Sequence, residues 1–132
     1  MSWRIAALLS LAIAAHAGQI VCTGGNFTVE VGGTLIIDLG ADSGVAGNVA
    51  VTGSCPVILY GTLTIGNASV LTGLSYGAHF HLIYTSASVD GYSDPTKRAL
   101  VYPALPLGWY VIYGPHDVWL AKTKIQHRVT LR

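Results

Sequence analysis

Apolar and polar residues alternate along much of the chain after residue 25. From Asn26 to Val31 an apolar residue takes every second position, which is the period expected of a half-buried strand. Glycine, proline and asparagine turn signals separate this stretch from others of the same character. No window after residue 17 has helical periodicity, so the pattern predicts an all-β domain. The predicted strands cover residues 26–31, 34–39, 48–52, 57–60, 62–65, 78–85, 100–102 and 118–131, with 70–74 as a further candidate.

The densest strand signal lies at Leu105–Tyr113. A proline-glycine turn leads into Trp109-Tyr110-Val111-Ile112-Tyr113, where every residue is aromatic or β-branched. Nearly continuous apolarity is typical of a strand that is covered on both faces. We therefore expect this strand to lie near the centre of the fold.

Turn signals recur at intervals of about 8–12 residues, the spacing that is typical of β-sandwiches and barrels. This spacing favours a single immunoglobulin-like β-sandwich of about seven to nine strands over residues 18–132. A β-solenoid or a jelly-roll is the alternative, because Gly33-Thr34-Leu35-Ile36 is similar to Gly61-Thr62-Leu63-Thr64. One such echo does not by itself establish a repeat.

The turn at Leu105–Val111 resembles the turn before the penultimate strand of many immunoglobulin-like domains. The resemblance implies that Tyr110 is a tyrosine-corner residue, whose hydroxyl bonds to the upstream backbone. It covers only a short stretch and carries no function, because this architecture serves many functions.

Residues 1–17 have the features of a secretory signal peptide. Arg4 precedes an apolar run from Ile5 to Ala15, and Ala15-His16-Ala17 is a suitable cleavage site. The segment therefore predicts a secreted or cell-surface protein. A retained hydrophobic helix, which would bring the chain to a membrane, is the alternative.

Two further patterns agree with export. Cys22 and Cys55 are the only cysteines and are predicted to form a disulfide, with two buried free thiols as the alternative. Asn26 and Asn67 each begin an N-x-[ST] triplet and are predicted glycosylation sites.

Charge is scarce and unevenly distributed. Only 10% of the residues are charged, against about 25% in ordinary domains. Residues 18–96 contain five acidic residues and no Lys or Arg, whereas residues 97–132 contain six cations and only Asp117 as an acid. This separation favours pairing between the two halves of the chain. Head-to-tail contact between subunits and an anionic partner are the alternatives.

Histidines provide the candidate metal ligands. His79 and His81 are two residues apart in a predicted strand and therefore share a face. Together with His127, on the apolar side of its strand, they would supply imidazoles for copper or zinc. The alternative is that His79 and His81 face solvent and that His127 is a buried, hydrogen-bonded residue. Cleavage after Ala15 would instead expose His16 as the N-terminus of a copper brace, which would make the protein a copper-dependent enzyme.

Basic residues in the last predicted strand share one face. Lys122, Lys124, Arg128 and Arg132 alternate with apolar positions, so one side is predicted to be basic and the other to face the core. Such a face either protects an edge strand or binds an acidic subunit, a glycan or an anionic surface polymer. It lacks interleaved aromatic residues, so a nucleic acid is not an expected partner.

The sequence contains no nucleophile elbow, phosphate loop or paired catalytic carboxylates, so we expect neither an enzyme nor a cofactor. The predicted function is that of an exported structural or adhesive module of the cell surface, such as a self-assembling envelope or filament subunit. Its expected partners are copies of itself or other envelope proteins. The alternative is an exported copper- or zinc-binding protein.

Overall fold

A computed structural model of the protein describes residues 3–5, 12–15, 20–39, 49 and 51–124. Three short helical segments occur in this part: a single turn of α-helix, α1, at Asp90–Ser93, and 3₁₀ turns at Ala68–Leu71 and Pro95–Lys97. No helix within the described residues has the length and apolarity needed to cross a membrane. The strands are β1 Trp3–Ile5, β2 Ala12–Ala15, β3 Ile20–Cys22, β4 Phe27–Val29, β5 Thr34–Ile37, β6 Val51–Gly53, β7 Val57–Leu59, β8 Thr62–Ile65, β9 His79–Tyr84, β10 Leu100–Val101, β11 Trp109–Tyr113 and β12 Asp117–Lys122.

Successive strands join three different sheets in turn. Sheet A has the order β1-β4-β7, sheet B has the order β10-β8-β5-β2, and sheet C has the order β11-β12-β9-β6-β3. Every pairing that involves β1 to β8 is parallel. The described chain therefore winds through sheets A, B and C three times, and each turn of this coil lies on the preceding one.

The core fills the inside of the coil. In sheet B, Leu35 lies beside Leu63 and Ile37 beside Ile65, and all four side chains are buried. Alternate residues of a strand point to opposite faces, so Leu35 and Ile37 share the inner face while Thr34 and Ile36 share the outer one. Because the register is parallel, the next coil has the same alternation of inner and outer residues. Apolar side chains therefore stack on one another through the interior.

Close packing of the coils restricts the residue at one corner. A β-carbon at Gly61 would overlap the carbonyl oxygens of Glu30 and Gly33 in the preceding coil. The Thr62 N–H donates to the same Gly33 oxygen at 2.9 Å. Glycine is therefore required at position 61 because two coils approach each other there through their backbones.

An antiparallel hairpin ends sheet C. β12 pairs antiparallel with β9, and β11 pairs antiparallel with β12. Val118 and Leu120 of β12 are fully buried, which joins the hairpin to the same core as the coils.

The described residues form mainly strands in three sheets, as the all-β prediction requires. The immunoglobulin-like sandwich is not confirmed, because that fold consists of two antiparallel sheets whereas seven of the described pairings are parallel and two antiparallel. A jelly-roll, which is also antiparallel, does not fit either. The parallel coils agree with the β-solenoid alternative.

Three local predictions need correction. Among the described strands, Trp109–Tyr113 is the edge of sheet C and not a central strand, and only Trp109 in it is buried. The candidate strand at 70–74 is replaced by the 3₁₀ turn. The hydroxyl that bonds to the upstream backbone belongs to Tyr113, which accepts from the Ala99 N–H at 3.0 Å, and not to Tyr110.

β1 and β2 lie within residues 1–17, which the sequence predicts to be a signal peptide. Whether this segment is removed, and where, stays a prediction.

Candidate functional site on the outer face of sheet C

Strands β9 and β12 place four ring-bearing side chains and one carboxylate on the outer face of sheet C. Trp119 lies opposite His81, and Ala121 opposite His79, while Phe80 between the two histidines is buried. The pairing shifts register between Val118 and Trp119. Leu82 and Ile83 are consecutive buried residues at this irregularity, so Tyr84 returns to the outer face. We name this group the histidine–tryptophan cluster: His79, His81, Tyr84, Asp117 and Trp119.

Trp119 is at the centre of the cluster. The His81 ring stacks on it with the ring centroids 3.9 Å apart and the planes inclined by 6°. His79 approaches the same indole edge-on at 5.6 Å, and Tyr84 approaches His81 edge-on at 6.3 Å. These contacts fix the orientation of both imidazoles.

Asp117 provides the carboxylate of the cluster. Its Oδ2 lies 2.7 Å from Nε2 of His81, and the side chains of His81 and Asp117 are 13% and 28% exposed. Nε2 is buried, and the approach lacks the alignment of a hydrogen bond. The contact between the imidazole and the carboxylate is therefore chiefly electrostatic.

His79 is held by the backbone of the preceding turn. Its Nδ1 lies 3.0 Å from the Gly77 carbonyl oxygen, so Nδ1 carries the proton and donates. Histidines that bind metals commonly have such an acceptor for the other ring nitrogen, which fixes the tautomer and the ring orientation. The cluster thus contains two imidazoles whose orientation is set by neighbouring oxygens.

The predicted metal ligands are only partly covered by the structure. His79 and His81 share the outer face and both contact Trp119. His127 and His16 lie outside the described residues. Within residues 20–39 and 51–124, no group of three or more His, Cys, Asp or Glu side chains is arranged to hold a metal ion. The three-histidine site therefore stays a prediction.

Cys22 and Cys55 form a disulfide, so the free-thiol alternative is wrong. Their Cα atoms are 5.8 Å apart, and both residues are almost completely buried. The bond links the end of β3 to the residues between β6 and β7. Hydrogen bonds from the Ser54 N–H to the Cys22 oxygen and from the Thr85 hydroxyl to the Cys55 oxygen hold the same region.

The two predicted glycosylation sites differ in their surroundings. Asn26 is exposed, whereas Asn67 is half-buried and its side-chain nitrogen donates to the Leu39 carbonyl at 3.1 Å. A glycan at Asn67 would compete with that hydrogen bond. Glycosylation at either residue stays a prediction.

The predicted basic face needs correction at Lys122. Lys122 shares its side of β12 with the buried Val118 and Leu120, and Trp119 points the other way. Its ammonium group therefore reaches past the end of the core and donates to the Leu74 carbonyl at 2.7 Å.

Lys122 and Lys124, the two described lysines of the basic set, both contact Tyr76. Nζ of Lys122 and of Lys124 lies 5.2 and 4.8 Å from the centre of the Tyr76 ring. Arg128 and Arg132 lie outside the described residues. The role of the four cations as an interaction surface stays a prediction.

Sequence reasoning did not find Asp117, Tyr84 or Trp119 as members of a site. Residues 79 and 81 could be paired by parity alone, but Asp117 and Trp119 reach them from a different strand. The signal available in the sequence was the alternation of Asp117 and Trp119 with the apolar Val118 and Leu120, which indicates an outward-facing carboxylate and indole.

Comparison of the chain with models of protein families, with curated proteins and with solved structures finds no match.

Proposed function

We propose that the protein is an exported structural or adhesive module of the cell surface, such as a self-assembling subunit of an envelope or filament. The observation that carries the proposal is the set of exposed apolar side chains on the outer face of sheet C, beside the histidine–tryptophan cluster. Tyr84 and Ile112 are 41% and 40% exposed there. Ile112 lies opposite Trp119, and Tyr110 lies opposite Ala121, so all four residues belong to one face. Exposed apolar surface of this kind is characteristic of protein contact sites.

The rest of the molecule supports a structural role. Parallel coils share one interior and are tied together by the Cys22–Cys55 disulfide. Disulfides persist in oxidising surroundings such as the exterior of the cell. A rigid scaffold of this kind presents its outer face with little cost in conformational entropy upon binding. The partners proposed are copies of this chain or other envelope proteins, with glycans or anionic surface polymers as further candidates.

Fractionation of the cells that make the protein tests the proposal. The chain should be recovered from the envelope or the medium, with an N-terminus at Gly18, and purified protein should sediment with isolated envelopes. The double variant Tyr84→Ser/Ile112→Ser should stay in the supernatant. The control Tyr92→Ser changes a tyrosine that is also exposed, at 52%, but lies in α1, and it should sediment like the wild type. Wild-type protein that remains inside the cell, or that does not sediment with the envelopes, would contradict the proposal.

A second candidate function is that of an exported copper- or zinc-binding protein. It is favoured by the arrangement of His79 and His81, which share a face and have ring nitrogens directed at the Gly77 oxygen and at Asp117. Titration with Cu²⁺ or Zn²⁺ should then quench or shift the emission of Trp119, and His79→Ala/His81→Ala should remove the response. His116→Ala is the matched control, because His116 is exposed and bonded to the Ala87 carbonyl. A wild-type protein that binds neither ion excludes this candidate.

A further inference from the structure

The outer edge of sheet C is formed by β11, which in the described part of the chain pairs with β12 on one side only. Hydrogen bonds from Gly114 to Asp117 and from Thr123 to Gly108 flank this pairing. The even-numbered residues between them, Tyr110 and Ile112, therefore direct their backbone groups toward β12. The N–H and C=O groups of Val111, together with those of Tyr113, point away from the sheet.

In the part of the chain that the structure describes, β11 lacks the features that usually protect an edge strand. Monomeric proteins place lysine, proline, a bulge or an inward-pointing charge on such strands. Trp109–Tyr113 contains no charge and no proline, and its pairing with β12 is regular over all five residues. Leu107, in the turn that precedes it, is 88% exposed. An apolar edge of this length is a template for another strand.

We propose that β11 pairs antiparallel with β11 of a second copy of this chain, about a two-fold axis at Val111. This inference rests on the proposed function, since it names the partner and the contact by which the module assembles. In this register Trp109 lies opposite Tyr113 of the second copy, and Tyr110 lies opposite Ile112. Every non-central pair thus contains at least one aromatic residue, and the interface is self-complementary, as a two-fold interface must be.

Charge does not oppose this pairing. Trp109–Tyr113 contains no charged side chain, so no two like charges lie opposite each other across the contact. The pairing also joins two five-stranded sheets into one of ten strands, which is within the usual range for open sheets.

Proline substitution tests the contact without disturbing the hairpin. Val111→Pro removes an N–H that points to the open edge and leaves the bonds between β11 and β12 in place. Light scattering and analytical ultracentrifugation of the full chain should show a wild-type dimer, and Val111→Pro should weaken it by about 100-fold, as expected for losing two hydrogen bonds and adding a clash. Leu100→Ser is the control at β10, the edge of sheet B, where Leu100 is 67% exposed. It should dimerise like the wild type.

Cysteine mixing tests the register itself and does not depend on the folding of the proline variant. Tyr110→Cys and Ile112→Cys proteins should not cross-link when each is oxidised alone, because each new cysteine faces a different residue of the second copy. The mixture should form an intermolecular disulfide, since residues at such non-hydrogen-bonded positions have Cα atoms about 4.5 Å apart.

A monomeric wild type, a dimer that Val111→Pro leaves intact, or a mixture that does not cross-link would each overturn the edge contact. A protein that sediments with envelopes but is monomeric retains the proposed function and loses this inference. A dimer with the expected cross-link that does not sediment with envelopes retains this inference and loses the proposed function. Co-purification of a different protein on β11 in place of a second copy would also refute the inference.

Discussion

The side-chain amide of Asn67 pairs with the backbone of Leu39 through both of its polar atoms. Oδ1 accepts from the Leu39 N–H at 2.8 Å, and Nδ2 donates to the Leu39 oxygen at 3.1 Å. Leu39 lies two residues after β5, and Asn67 lies two residues after β8. The amide therefore continues the contact between neighbouring coils beyond the point where strand pairing ends.

Removing this amide should destabilise the fold. We expect Asn67→Ala to lower the free energy of unfolding by about 1–3 kcal/mol, because two half-buried backbone groups lose their partner. Asn26→Ala changes the exposed asparagine of the other triplet and should have an effect within about 0.5 kcal/mol. Urea unfolding of protein produced without glycans measures both values. Equal effects for the two variants would show that the Asn67 contact contributes nothing.

The disulfide should contribute more than any single hydrogen bond. Cys22 and Cys55 are 33 residues apart, and closing a loop of this size in the unfolded chain is worth about 3–4 kcal/mol in the chain-entropy model. Cys22→Ser/Cys55→Ser should lose stability by that amount in urea unfolding. Wild-type protein unfolded in the presence of a thiol reductant serves as the control and should match the double variant. Loss of less than about 1 kcal/mol would show that the chain-entropy model does not describe this loop.

Two leucines of sheet B should respond very differently to truncation. Leu63 is 1% exposed and lies against Leu35 inside the coil, whereas Leu100 is 67% exposed on the edge strand β10. Leu63→Ala should cost about 2–5 kcal/mol, through lost burial and a cavity. Leu100→Ala should stay within about 0.5 kcal/mol. Denaturation midpoints of the two variants decide whether the interior of the coil is the core.

Alkaline pH should destabilise the protein through Tyr113. Burial raises the pKa of its hydroxyl above the ordinary value, and the Ala99 N–H and Arg98, which act in the other direction, do not cancel this effect. The unfolded chain therefore loses the phenolic proton first. The contribution of Tyr113 is present below pH 10, which is the ordinary pKa, and is lost as pH rises through the folded pKa.

The slope of unfolding free energy against pH tests this prediction. Between about pH 9 and 11, the slope should be less steep for Tyr113→Phe than for the wild type. Tyr92→Phe, which changes an exposed tyrosine in α1, should keep the wild-type slope. If both phenylalanine variants show the wild-type slope, Tyr113 does not control the alkaline transition.

Local strand signals in this sequence were informative, but the pairing between strands was not. β8 occupies the predicted residues 62–65, and β4 and β5 fall within their predicted ranges. Alternation fixes which side of a strand is apolar, yet it is the same for parallel and antiparallel neighbours. The similarity between Gly33-Thr34-Leu35 and Gly61-Thr62-Leu63 was the sequence signal for the parallel pairing. Thr34 pairs with Thr62 and Leu35 with Leu63 in adjacent coils.

Apolarity was also ambiguous at β11. Its five residues predict a strand covered on both faces, but Ile112 is exposed and the strand forms an edge among the strands that the structure describes. A run of apolar residues indicates that the strand is buried. It does not indicate whether the residues that bury the strand belong to the same chain or to another one.

The candidate site was predictable in part. Parity placed His79 and His81 on one face, as the structure has them. Asp117 and Trp119 join them through the register of β9 and β12, which shifts between Val118 and Trp119. That shift depends on packing across two strands, and no local sequence pattern encodes it.

The parallel register also determines how this architecture would change in size. Equivalent positions in neighbouring coils are separated by 28 residues between Thr34 and Thr62, and by 30 between Phe27 and Val57. Duplicating residues 27–56 would supply a new copy of the inner residues with the same partners above and below. The height of the molecule would grow by about 4.8 Å, one strand spacing. The molecule could therefore be lengthened by whole coils while the interior keeps the same residues. The hairpin of β11 and β12 would remain at the end of the stack of coils.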